Sequence, residues 1–131
     1  MKAYKIQLED LEYLSFPDAQ ILQQQFSDSP SLRQLLMHLD SAYLDSGNQK
    51  SQLGKGYLTL YDWHQVIVHT YDHCNHQWFL APSLSKYLLK DICEFATNDK
   101  FFTLRGFITI TSLWTEWIFR EPKISGIFDK N

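Results

Sequence analysis

The stretch Trp63-His-Gln-Val-Ile-Val-His-Thr-Tyr-Asp-His-Cys-Asn-His76 holds four of the chain's five histidines, and its period governs the reading of everything around it. As a strand, it puts Trp63, Gln65, Ile67, His69 and Tyr71 on one face and His64, Val66, Val68, Thr70 and Asp72 on the other. Neither set is consistently apolar, as one face of a half-buried strand should be. As a helix, at about 100° per residue, Leu60, Trp63, Ile67, Tyr71 and Cys74 fall within an arc of about 80°. Thr59 followed by Asp62 reads as a variant capping box. The period therefore predicts a helix, against the strand preference of the β-branched Val66-Ile67-Val68.

Working outward, Ser29-Pro30 supplies an N-cap and a first-turn proline for a helix to about Leu44, with Leu32, Leu35, Leu36, Leu39 and Tyr43 on one face. Pro17 opens a shorter helix to about Phe26. Residues 46–56 are rich in turn formers and read as a flexible loop. Pro82-Ser83 leads into a helix over 83–97, with Leu84, Leu88, Ile92 and Phe95 inward. The last element, about Thr103 to Arg120, confines Arg105, Thr109, Ser112, Glu116 and Arg120 to a narrow polar strip. Its remaining surface is apolar over more than half its circumference, which implies burial on more than one side. Glu121-Pro122 stops it, and 122–131 reads as a tail. Four main helices with connections that allow antiparallel neighbours predict an all-α bundle in one globular domain, 1–131, with a short N-terminal strand or arm. The alternative is α+β, with Val66–Tyr71 and Phe107–Thr111 as strands.

Composition narrows the function classes. The twenty aromatic side chains (9 Phe, 7 Tyr, 4 Trp) are many for 131 residues, so some aromatic surface is expected to meet a partner. The net charge is −3, and between Ile6 and Ser85 nine acids oppose three bases. Phosphate neutralisation needs the reverse, so nucleic acid is not an expected partner, whereas a protein with a basic surface is. The first ten residues carry no signal-like apolar run, and no 18-residue apolar segment occurs. Cys74 and Cys93 form no disulfide framework. The expected location is the cytoplasm, without membrane association.

On a helical pitch His69, His73 and His76 lie within about 60° of one another, with Asp62 close by. Two imidazoles one turn apart can share a metal, and this donor set suits Zn²⁺ or Ni²⁺. The same pitch turns the three histidines away from the apolar arc toward solvent, and no His-Glu-x-x-His signature accompanies them. An ordinary polar face is thus the simpler reading, with no cofactor, and a zinc-dependent hydrolase or metal-binding protein is the alternative. The function expected is a small protein-binding module, an adaptor or toxin-neutralising (immunity-like) protein without catalysis. Trp114, Trp117 and Ile110 are its candidate anchors, with a homo-oligomer as a further arrangement.

Overall fold

The computed structural model describes residues 2–45, 50–109 and 113–130. Its thirteen strands are β1 (Ala3–Lys5), β2 (Leu14–Ser15), β3 (Ala19–Ser29), β4 (Leu32–Leu39), β5 (Ala42–Asp45), β6 (Lys50–Tyr61), β7 (Gln65–Asp72), β8 (Gln77–Leu80), β9 (Asp91–Ile92), β10 (Glu94–Thr97), β11 (Phe101–Phe107), β12 (Trp114–Arg120) and β13 (Lys123–Lys130). Two short 3₁₀ helices, Leu8–Tyr13 and Leu84–Lys86, are the helical content of the described residues. An eight-stranded antiparallel sheet runs β1-β13-β6-β4-β3-β9, with β2 and β5 attached beside β6, and a five-stranded sheet runs β10-β11-β12-β7-β8.

The segment Lys90–Thr97 stitches the two sheets into a half-barrel. On one side Ile21 N–H donates to the Lys90 carbonyl at 3.0 Å, and Ala19 and Gln20 pair with Ile92 and Asp91. On the other, Lys90 and Cys93 N–H groups donate to Phe107 and Arg105 carbonyls, each at 2.8 Å, before β10 joins β11. Gly106 is needed at this seam, because a Cβ there would land on the Asp91 carbonyl. The buried Asp91 carboxylate accepts the Phe107 N–H at 2.9 Å and so has a partner.

Aromatic rings fill the space between the sheets. Phe26 meets Trp117 edge-on at 4.9 Å, and Trp63 lies 4.9 Å from Phe119. Phe95 meets Phe102 edge-on at 4.6 Å, with Phe16 at 5.7 Å from Phe95. Offset and edge-to-face pairs of this kind add to the burial of large apolar surfaces. The indole N–H groups are satisfied: Trp117 donates to the Tyr87 carbonyl at 2.8 Å and Trp63 to Asp28 at 3.1 Å.

The expected helical bundle is overturned, and so is the α+β alternative. The Val66–Tyr71 stretch lies within β7. Phe107 ends β11, Ile108 makes a single bridge to Leu89, and 110–112 lie outside the described residues. Residues 17–26, 29–44 and 83–97 hold strands, turns and one short 3₁₀ helix where helices were expected. Ser29 shows how a correct local reading led to a wrong element. Its Oγ accepts the Leu32 N–H at 3.2 Å, the bond a helix N-cap makes, but here it closes the Pro30-Ser31 turn of the β3–β4 hairpin. Of the expected loop 46–56, residues 50–56 belong to β6 and 46–49 lie outside the described residues. The stretch taken as a tail is strand β13, paired with both β6 and β1.

Candidate protein interface

The five-stranded sheet has a filled inner face and an outer face that no element of the described residues covers. Alternation sends Val66, Val68, Thr70, Leu104, Thr115, Trp117 and Phe119 inward. Thr70 and Thr115, both fully buried, place their hydroxyls 3.2 Å apart, and Thr115 donates on to the Leu113 carbonyl at 3.2 Å. Two inward threonines are thereby satisfied, which is why the inner set need not be wholly apolar.

Outward, the register lays side chains in rows across the strands. One row is aromatic. Phe107 stands opposite Trp114 with rings 5.2 Å apart, and Tyr71 stands opposite Trp78 with rings 5.5 Å apart. The pairing of Thr115 with Thr70 puts Trp114 and Tyr71 at the next position of the same ladder. A parallel row is charged: Glu94 on β10, Arg105 on β11, Glu116 on β12 and His69 on β7, ending at Leu80 on β8. Arg105 Nε lies 3.1 Å from Glu116 Oε2 and its Nη1 3.6 Å from Glu94 Oε1, while His69 Nδ1 lies 3.2 Å from Glu116 Oε1. Beyond it, Thr103, Ile118 and Ile67 form a third row. Leu80 is 65% exposed and Trp78 45%.

The expected anchors separate. Trp114 is half-buried on this outer face, Trp117 is 1% exposed in the core, and Ile110 lies outside the described residues. Trp78, Leu80 and Phe107 were not named as anchors in the sequence, and Tyr71 was placed on an inward arc, although the alternation of Gln77-Trp78-Phe79-Leu80 next to a turn carried the signal.

The strand also disperses the histidine cluster. His69 points outward from mid-β7, whereas His73 and His76 occupy the exposed β7–β8 turn, His76 at φ 53°. Asp72 heads that turn: it accepts the Asn75 side-chain amide at 2.7 Å and the Cys74 N–H at 2.9 Å, which hold its carboxyl below the usual range. Asp62 lies in the β6–β7 turn at the other end of β7, roughly 25 Å away along the strand, and pairs with Lys123 at 3.4 Å. A helical pitch was the premise of the metal site. With a strand in its place, no three His, Cys, Asp or Glu side chains among the described residues are placed to hold a metal ion. His64, in the β6–β7 turn, pairs with Glu121 at 3.1 Å.

A concavity of about 430 Å³ lies between the Leu8–Tyr13 helix and the turns at 98–100 and 121–122. Leu11, Tyr61, Phe101 and Ile124 give it apolar walls. Its Asn98 side-chain oxygen already accepts the Lys100 and Phe101 N–H groups at 3.0 Å, and its Lys123 is engaged by Asp62.

No helix among the described residues is long and apolar enough to cross a membrane. Compared with known proteins, the chain matches no family model, no curated protein and no solved structure.

Proposed function

We propose that the chain is a protein-binding module without catalytic activity, and that its binding surface is the outer face of the five-stranded sheet. The observation that carries this is the row Phe107, Trp114, Tyr71, Trp78 with exposed Leu80 beside it. Aromatic side chains that offer large, rigid area are the anchors of protein interfaces, and here exposed Trp78 and Leu80 stand at the end of a row of half-buried rings. The alternating charges of the neighbouring row suit a counter-surface with interleaved charge. A toxin-neutralising role is the narrower form of the same proposal and rests on composition alone.

Site-specific photo-crosslinking in cells that make the protein tests it. A crosslinker at Leu80 or Trp78 should capture another polypeptide chain, while one at Ile127 or Lys5, on the outer face of the other sheet, should not. Equal capture from both faces, or none from Leu80 and Trp78, overturns the reading.

A further inference from the structure

We infer that the surface covering this face is a second copy of the same chain, packed sheet against sheet about a two-fold axis parallel to the strands, between β11 and β12. The inference rests on the reading of the face as a binding surface and names its occupant. What points to self-association is the order of charge across the sheet: Glu94 negative, Arg105 positive, Glu116 negative, His69 positive when protonated. Reversed end to end, that order is its own complement. A two-fold axis along the strands reverses it, setting Arg105 against Glu116 of the second copy, and Glu94 against His69.

The other rows agree with that axis. It leaves each row facing itself, so that Phe107 on β11 meets Trp114 on β12, and Thr103 meets Ile118. An axis across the strands would instead stack Glu94 on Glu94 and Arg105 on Arg105. An axis running through β12 would set Glu116 against Glu116. Both put like charges together in a desolvated contact, which disfavours them. Facing sheets also favour nearly aligned strands, as this axis requires. The apolar rows supply the association and the charges choose its orientation, because ion pairs at a half-desolvated seam add little net affinity.

The axis sets β10, β11, β12 and β7 against the same four strands of the second copy and leaves β8 at the rim. Four strands about 4.8 Å apart and seven residues rising about 3.3 Å each give a face on the order of 400 Å² in projection. That is at the small end of specific interfaces, so the dimer should be concentration-dependent.

The test is a charge-reversal mixing experiment read by analytical ultracentrifugation, with circular dichroism to confirm folding. The wild-type chain should dimerise as its concentration rises. Arg105→Glu sets a carboxylate against Glu116 of the second copy, and Glu116→Arg sets a guanidinium against its Arg105. Each variant alone should be monomeric. Mixed in equal amounts they should dimerise again, because both cross-copy pairs of positions 105 and 116 are then opposite in sign. The broken pair within each chain stays broken, so a purely structural role for Arg105 and Glu116 cannot produce that rescue. Trp114→Ala, which leaves the charges intact, should also be monomeric and covers the case in which a reversal variant does not fold. A monomeric wild type, dimeric single variants, or a mixture that stays monomeric overturns the inference. Leu80 crosslinks to a different protein, together with a monomeric wild type, would remove the second copy and leave the binding face standing. Loss of both would remove both.

Discussion

The two sheets turn unlike faces outward. Across the eight-stranded sheet, one outer row reads Lys5, Ile127, Tyr57, His38, Gln23 and the next Ser125, Thr59, Leu36, Gln25. Its exposed large apolar side chains are scattered: Leu22 lies at the β3 bulge, Leu32 at the start of β4, and Tyr57 and Ile127 are cross-strand neighbours, the Tyr57 ring stacking on His38 at 4.6 Å. The five-stranded sheet presents four aromatic rings in one row and two isoleucines in another. The first face is what water tolerates at a sheet surface, whereas the second spreads apolar rows on both sides of one charged row. Both sheets close the same core, so the difference belongs to what each face meets and not to what holds the fold together.

The two neighbouring tryptophans of β12 give the largest test of that division. Trp117→Ala should cost about 4 kcal/mol in urea unfolding, as it empties a fully buried indole site and orphans the Tyr87 carbonyl. Trp114→Ala loses one edge-to-face ring partner on the outer face, and about 1 kcal/mol is expected. Comparable losses at both positions would mean that the outer face is a second core, and the contrast between the faces would fail.

The same contrast explains how much of the fold was legible. Strands of the polar-faced sheet do alternate: β13 sends Lys123, Ser125 and Ile127 outward and Ile124, Gly126 and Phe128 inward. In β7 and β12 both faces carry apolar groups, so alternation is blurred, and a stripe recurring at four residues fits a helix as well as a strand. Ile67 and Tyr71 illustrate this, since even spacing also keeps side chains on one face of a strand, whereas Trp63, before β7 begins, is buried in the core. The expected helix over 103–120 is instead two strands, β11 and β12, with apolar side chains on both faces, which is why its apolar surface is so wide. Trp114 as an outward aromatic was accessible from the sequence. The charged row was not, because it assembles residues 94, 105, 116 and 69 by register across four strands.

The seam between the sheets sharpens the comparison at the next level. Gly106→Ala forces a methyl onto the Asp91 carbonyl, where β9 and β11 share backbone. The backbone must part, at a cost of roughly 3 kcal/mol by urea unfolding. A neutral result would show that the two sheets are not rigidly joined at this edge.

The smallest effect is chemical and leaves stability unchanged. Cys74 is exposed in the β7–β8 turn, while Cys93 lies half-buried at the seam, with its Sγ 3.5 Å from Asp91 Oδ1. Burial, followed by the charges of Asp91 and Asp18, pushes the Cys93 thiol up to about 12. A raised thiol stays protonated, so Cys93 is scarcely present as the reactive thiolate at pH 8. Iodoacetamide should therefore modify Cys74 quickly in the native protein and reach Cys93 only when the seam opens. Native-state labelling of both at similar rates would show that Cys93 is not shielded. Gly106→Ala adds a second reading, because it loosens β9 from β11: Cys93 should then label faster while Cys74 keeps its rate. An acceleration at both cysteines would point instead to global unfolding, and the rigidity assigned to the seam would belong to the whole half-barrel.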